Sequence, residues 1–170
     1  MRGFLKKISD EGTNEVNAPR VMQRMGMNFE THRTSVAGDY NESLELVVLP
    51  EVSAEVSGTR GETPSDSLSV RGALLGTHRQ ARLVSLAGVS VELPLSGKFV
   101  LVIQNKDVPG IVGHVGNVLA AAKVNIANMS LGRTGDTALT LLELDSAPDE
   151  KTILKLRENK NVLSAKVVSL

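Results

Sequence analysis

Composition places this chain among ordinary globular proteins and excludes several functional classes. Its 170 residues carry 19 Lys and Arg against 19 Asp and Glu, so the formal net charge is zero. A neutral chain does not favour nonspecific nucleic-acid binding, and 2% aromatic residues offer few platforms for base stacking. The absence of Cys excludes disulfides, thiolate nucleophiles and cysteine-held metal centres. We expect a cytoplasmic protein without membrane contact, because we find no signal-peptide core and no apolar run of membrane-spanning length.

The first 94 residues are predicted to be rich in strands, with short helical segments. Residues 1–13 are expected to be the end of a connecting helix. Asn17 is in position to cap a helix over 18–25, which Gly26 would end. Alternating polarity predicts a half-exposed strand over 27–34. A stretch rich in Ser, Gly, Thr and charge predicts a loop or ragged hairpin over 53–67. Further strands are predicted over 42–52, 69–75, 81–86 and 89–93, with a tight turn at 87–88.

The second half begins after a linker at 94–97. Residues 99–103 form an apolar, β-branched-rich run that predicts a buried strand, and the polar residues 104–107 are expected to end it. Apolar residues then recur at helical spacing, so a helix is predicted over 109–122. Pro109 suits its first turn, and Asp107 stands where a capping carboxylate is preferred.

The remaining pattern completes a familiar order of elements. Strands are predicted over 125–131, 138–144 and 162–170, with a hairpin connection at 132–136. Ser146 and Asp149 have the spacing of a capping box, which predicts a helix through 153–156. The order strand–helix–strand–strand–helix–strand is the ferredoxin-like βαββαβ arrangement. The predicted fold class is therefore α+β, a β-rich domain followed by this ferredoxin-like domain.

Two motifs in this second half resemble those of the ACT domain, a small amino-acid-sensing module. They are Asp-Val-Pro-Gly at 107–110 and Val-Asn-Ile-Ala at 124–127. With residues 129–133 they are similar to the C-terminal ACT domain of D-3-phosphoglycerate dehydrogenases, and 14–26, 69–76 and 84–88 resemble the intervening domain of the long forms. The resemblance implies an intervening, allosteric substrate-binding-like domain at 14–94 and an ACT domain at 98–170.

The resemblance also implies a regulatory role in L-serine biosynthesis, without catalysis by this chain itself. No Gly-x-Gly-x-x-Gly stands between a strand and a helix, so the nucleotide-binding domain of that dehydrogenase has no counterpart here. NAD would belong to the parent enzyme, and we expect no cofactor in this chain. The implied partners are the catalytic domains of such an enzyme and further copies of the chain in a homo-oligomer.

A site for a free amino acid needs donors for its carboxylate and acceptors for its ammonium. The start of the predicted helix, with Pro109 and Gly110, offers backbone N–H groups; Asp107 offers a negative acceptor and Asn105 an amide. Asn125 could reach the same end of the fold or a neighbouring subunit. In the resembling ACT domains, the positions of Asn105, Asp107 and Asn125 contact L-serine across a subunit interface. Alternatively, Asp107 only caps the helix and Asn105 and Asn125 are turn residues. The alternative function is an oligomerisation scaffold with a vestigial ligand site.

Other polar groups are weaker candidates. A small basic group near the predicted hairpin is a weak candidate for an anion site, and a solvated loop is the simpler interpretation; it comprises His78, Arg79 and Arg82. His32 and His114 are expected on the surface. The acidic residues of 39–45 share no face, so no metal site is predicted. No self-contained catalytic constellation is visible.

The purified chain should therefore show no dehydrogenase activity, because it lacks the fingerprint that holds the dinucleotide. The measurement is NADH formation with 3-phosphoglycerate and NAD. Activity that is proportional to protein and survives repurification would contradict the prediction.

Overall fold

The computed structural model describes residues 5, 12, 14, 16–28, 30–33, 35, 39–49 and 67–170. The chain forms two compact units, Met1–Ala37 and Gly38–Leu170. The first contains helix α1 (Ala18–Arg24), and the second contains two four-stranded sheets. The predicted division into domains at residues 94–98 stays a prediction.

Helix α1 ends as its sequence indicates but begins differently. The N–H of Gly26, at φ 72°, donates to Gln23 O at 3.0 Å, and the N–H of Met27 donates to Met22 O at 2.9 Å. This is the Schellman arrangement, so Gly26 ends the helix as predicted. Asn17 precedes the helix, but its backbone is helical and its side chain makes no capping bond. An N-cap side chain usually needs an extended backbone to reach forward, which is why this expectation is wrong.

The rest of the first unit gives a further correction. The strand predicted over 27–34 is absent from those of its residues that the structure describes, 27–28 and 30–33. Alternating polarity is not enough without a neighbouring strand to pair with. Within the predicted connecting segment, Leu5 is helical and fully buried. It belongs to a small apolar cluster with three residues of α1, which are Ala18, Val21 and Met22.

The first sheet is an antiparallel meander, which confirms the predicted β-rich segment. Its strands β1 (Ser43–Val48), β2 (Leu68–Leu75), β3 (Gln80–Leu86) and β4 (Val89–Pro94) pair in chain order. Ala87 and Gly88 have φ values of 51° and 75°, the two positive values of a type I′ hairpin turn. Of the loop predicted over 53–67, all but Ser67 lies outside the described residues.

The second sheet and its helices form the predicted ferredoxin-like fold. Strands β5 (Phe99–Lys106), β6 (Ile126–Thr134), β7 (Thr137–Leu144) and β8 (Val162–Ser169) are antiparallel in the order β6-β7-β5-β8. Helix α2 (Ile111–Ala121) follows β5, and helix α3 (Glu150–Arg157) follows β7. The helices cover one face, where Leu101, Ile103, Val115, Leu119 and Leu156 are almost fully buried in one core.

Three local expectations about these elements are wrong. Strand β5 continues through the polar residues to Lys106, because β7 and β8 pair with it on both sides. Helix α2 begins at Ile111 after Gly110, so neither Pro109 nor a cap by Asp107 belongs to it. At α3 the cap is Asp149 rather than Ser146, with its Oδ1 accepting from the Thr152 N–H at 2.8 Å. Hydrogen bonds from the side chain and backbone of Thr152 lower the pKa of the Asp149 carboxyl.

The face of the second sheet that is turned away from the helices is covered by strand β4. Val91 and Leu93 pack there in a core whose other buried members are Val100, Leu139 and Leu141. The approach is closest at Gly132 of β6. A Cβ at this position would stand 2.4 Å from Ser90 O and 2.6 Å from Val89 Cγ1. The two sheets can therefore pack this tightly only because residue 132 has no side chain.

A buried carboxylate lies at the linker between β4 and β5. Glu143 is 2% exposed and accepts hydrogen bonds from Ser96 Oγ at 2.8 Å and Asn128 Nδ2 at 2.5 Å. A Cβ on Gly97 would stand 2.6 Å from Glu143 Oε1. Because a buried charge is costly without such partners, these bonds fix the linker against β6 and β7.

Two classes of feature are missing from the part of the chain that the structure describes. No helix there has the length and apolar character needed to cross a bilayer. No three His, Asp or Glu side chains there lie close enough to hold a metal ion.

Gly132→Ala should destabilise the chain by about 1–3 kcal/mol, because the added methyl group meets backbone and β-branched atoms that cannot rotate away. Urea unfolding measures the change. The control is Gly116→Ala in α2, where a Cβ meets nothing within 4 Å. That helical substitution should stabilise the chain by about 0.5–1 kcal/mol. Equal stability of the Gly132→Ala variant and the unchanged chain would contradict the packing at this point.

Candidate functional site

Three of the predicted site residues share the exposed loop between β5 and α2. They are Asp107, Pro109 and Gly110. The N–H of Asp107 donates to the carbonyl of Asp136 at 2.9 Å, which ties the loop to the β6–β7 hairpin. The loop is thus held between the end of the central strand β5 and a neighbouring turn.

The carboxylate of Asp107 is paired with a cation that sequence reasoning missed. Oδ2 lies 3.2 Å from Nε of Arg133, and the two side chains are 31% and 72% exposed. Arg133 stands opposite Ala138 near the end of β6. The place of Arg133 beside Asp107 depends on the strand order β6-β7-β5. The sequence signal that could have pointed to this residue is a hairpin turn at Gly135 and Asp136, which puts Arg133 near the end of β6.

The start of α2 is open toward the same loop. Gly110 precedes the helix at φ 94°, no side chain of the described residues caps it, and its first turn contains no acidic residue. The first N–H groups of a helix have no partner within the helix and carry partial positive charge. The loop therefore combines a carboxylate, a guanidinium and backbone donors.

Asn105 lies beneath this loop rather than in it. It is 2% exposed on β5, with Nδ2 donating to Lys106 O at 2.8 Å and Oδ1 accepting from Thr140 Oγ1 at 3.1 Å. Both ends of the amide thus have partners within the chain. These contacts make Asn105 a support for the end of β5, and its predicted contact with a ligand stays a prediction.

Asn125 lies at the opposite end of the sheet. It immediately precedes β6, whose first residue pairs with Leu144, which in turn pairs with Phe99 at the start of β5. Its Nδ2 donates to Asp145 Oδ2 at 2.8 Å. Asp107 follows the other end of the eight-residue strand β5, about 24 Å away at the usual rise. Asn125 therefore does not reach the Asp107 loop of its own chain. Of the two predicted possibilities, only a contact with the loop of a neighbouring subunit remains.

The weak anion-site candidates do not form an uncompensated basic cluster. Arg79 makes two bonds to the Glu42 carboxylate, at 2.7 and 2.6 Å, and Arg82 Nη1 lies 3.1 Å from Glu92 Oε1. His78 is exposed. Because each arginine already faces a carboxylate, the two guanidinium charges are largely balanced. An anion site here stays a prediction.

The two other histidines differ from one another. His32 is exposed beside Glu30, as expected. His114 is only half-exposed, and its Nε2 lies 3.2 Å from the carbonyl of Leu156. That carbonyl belongs to the last turn of α3, where C=O groups lack helical partners. His114 therefore links α2 to α3, and its expected surface role is wrong.

Comparison with known proteins identifies the domain that contains the Asp107 loop. Residues 99–161, which run from the start of β5 to the residue before β8, match the ACT domain family. The chain contains an ACT domain. The loop at 107–110 and the paired strands β5 and β7 of the candidate site all lie within the matched residues.

The whole chain is similar to part of several D-3-phosphoglycerate dehydrogenases. It is 28% identical to the Bacillus subtilis protein over all of this chain and 30% of that protein. The Synechocystis protein is 30% identical over 88% of this chain and 25% of its own length. The Methanocaldococcus jannaschii protein is 26% identical over all of this chain and 30% of its own length. The chain thus spans less than a third of the length of these curated relatives.

A solved structure is also similar to the ACT region. It is the ACT domain of a GTP pyrophosphokinase of Chlorobium tepidum, 16% identical, covering 42% of this chain and 97% of that one with a TM-score of 0.35. The ACT family match and the dehydrogenase relatives support a regulatory, amino-acid-binding role.

Asn105→Ala should destabilise the chain by about 1–3 kcal/mol, because the buried Thr140 hydroxyl and the Lys106 carbonyl lose their partner. Urea unfolding provides the measurement. The matched control is Asn117→Ala on the exposed side of α2, which should leave stability unchanged or slightly raised. If the two variants are equally stable, Asn105 does not support the end of β5.

Proposed function

We propose that this chain is the regulatory part of a phosphoglycerate dehydrogenase system, and that its ACT domain senses L-serine. The observation that carries the proposal is the Asp107 loop, where one carboxylate, one guanidinium and an open helix start lie together. An amino acid needs such a combination, since it brings an ammonium and a carboxylate on one carbon atom. The regulated NAD-dependent activity would belong to catalytic domains other than this chain, and the system would be cytoplasmic.

We further propose that the complete site forms between two copies of the chain. Asp107 and Asn125 lie at opposite ends of the sheet, so a second chain is needed to bring both to one ligand. Strand β6 is an edge of its sheet and runs from the Asn125 end to the Arg133 end. Antiparallel pairing of two β6 strands around a two-fold axis would bring Asn125 of each copy to the end of the sheet where Arg133 and Asp107 of the other copy lie.

A ligand held by two copies can act on assembly and through it on attached domains. It stabilises whichever arrangement of the copies places both sets of residues around it. The competing proposal is a scaffold with a vestigial site. The buried amide of Asn105, which bonds to Lys106 O and Thr140 Oγ1 within its own chain, supports that alternative. Ligand binding distinguishes the two.

L-Serine should raise the melting temperature of the chain, and D-serine and L-valine should do so far less. At a hundred times its dissociation constant, a ligand adds about 2.7 kcal/mol to the stability of the folded state. Asp107→Asn should remove most of this effect, because it keeps the size of the side chain but removes the negative partner of the ammonium. Asn125→Ala should weaken it as well. Thermal shifts and calorimetry provide the measurements.

Each of the two substitutions has a control variant that makes the same chemical change at another position. Asp136→Asn removes a negative charge from the same end of the sheet, and the hydrogen bond of Asp136 to the loop is made by its backbone carbonyl. Asn117→Ala matches the loss of an exposed amide. Both should bind L-serine like the unchanged chain. If the unchanged chain binds no amino acid, the scaffold proposal replaces the sensor.

Mixing the two weakened variants tests whether the site is shared. In a mixed dimer of Asp107→Asn and Asn125→Ala, one site carries both substitutions and the other carries none. Random exchange of subunits should therefore restore about one site in four, measured as binding stoichiometry. If the mixture recovers no binding although the subunits exchange, the site does not combine Asp107 and Asn125 from different copies.

A further inference from the structure

We propose that Arg133 binds the carboxylate of the amino-acid ligand while Asp107 binds its ammonium. This inference rests on the proposed amino-acid site and names the residue that selects for a zwitterion. Arg133 ends the 129–133 segment of the family resemblance, but that resemblance gives it no role. Its place in the site follows from the strand order and the pairing of β6 with β7.

The geometry leaves both members of the pair able to accept a ligand. Asp107 uses Oδ2 toward Arg133 Nε at 3.2 Å, so Oδ1 is left for an ammonium. The guanidinium uses only its Nε edge, and no residue in the described part of the chain bonds to its two Nη groups. Arg133 is 72% exposed, so solvent and ligand can reach these groups.

The chemistry of the pair matches an α-amino acid. A guanidinium presents parallel N–H donors that suit a carboxylate, and such charge-assisted bonds are among the stronger hydrogen bonds in proteins. A carboxylate beside it suits the ammonium on the neighbouring carbon. Arg133 and the open start of α2 would then share the ligand carboxylate.

The charge balance favours a neutral zwitterion over an anion. Asp107 and Arg133 already neutralise one another, and a zwitterion adds one partner to each without adding net charge. A phosphate or a dicarboxylate without an ammonium would place a negative group against Asp107 without compensation. The structure thus assigns the loop to amino acids with a free α-ammonium and a free α-carboxylate.

Ligand pairs that differ in one charge test this assignment. L-Serinamide keeps the ammonium, the hydroxymethyl group and the chiral centre of L-serine but lacks the carboxylate. Calorimetry on the full chain gives the affinity of both probes for the unchanged chain, for Arg133→Gln and for Arg133→Lys. The control is Lys166→Gln on the exposed side of β8, which removes one positive charge away from the loop.

The expected result is a selective loss. Arg133→Gln should weaken L-serine about 10- to 100-fold, the worth of a charge-assisted bond, and leave L-serinamide within about twofold. Arg133→Lys should recover part of the L-serine affinity, because it restores the charge without the parallel donors. Lys166→Gln should change neither probe.

Other outcomes overturn the assignment. An equal loss for both probes would mean that Arg133 acts only by orienting Asp107. An unchanged or stronger affinity for L-serine in Arg133→Gln would mean that Arg133 only competes with the ligand ammonium for Asp107. If the unchanged chain binds neither probe, the proposed amino-acid site itself is wrong. This outcome differs from failure of the Arg133 assignment alone, in which the unchanged chain still binds L-serine.

Discussion

The close packing of β4 on β6 is the constraint on which the larger unit depends. The face of the second sheet that the helices leave uncovered carries apolar residues, and Val91 and Leu93 of β4 bury it. This packing requires a strand to pass within contact of Ser90 O and Val89, which only a glycine at position 132 permits. The N–H of Glu92 donates to Ser130 Oγ at 2.9 Å on the same side of β6. The second sheet is therefore covered on both faces, and its position relative to the first is fixed.

This constraint reaches the candidate site through one strand. Successive residues of a strand point to opposite faces, so Gly132 faces β4 while Arg133 faces the helix side and Asp107. The loop is also hydrogen-bonded to the backbone of the hairpin at Asp136, and the side chain of Asn105 bonds to the carbonyl of Lys106 at the end of β5. The positions of Asp107 and Arg133 are thus set by paired strands and hydrogen bonds rather than by a long loop. A displacement of β6 on ligand binding would act directly on the first sheet.

The sequence predicted the elements better than it predicted their ends and their side-chain partners. Hydrophobic periodicity depends on which face of an element is buried, so the ferredoxin-like order and the strands of the first sheet were predictable. Polarity misled at Asn105, because β5 is paired on both sides and a polar residue can be buried there once Thr140 and a backbone carbonyl bond to it. Alternation misled at 27–34, where no partner strand is present among the described residues. The pairing of Arg133 with Asp107 was missed because it depends on the strand order, and a turn signal at residues 135–136 shows only where β6 ends.

The choice of edge decides whether two copies can build one site. The second sheet has two edge strands, β6 and β8. Pairing through β8 would leave Asn125 on the far side of the sheet, about 14 Å from the interface across three strand spacings. Pairing through β6 places it at the interface itself. Charge does not separate the two edges, since each strand carries a single charged residue, Arg133 on β6 and Lys166 on β8. The same strand therefore offers the edge for a second copy, the cation for the ligand and the glycine that admits β4.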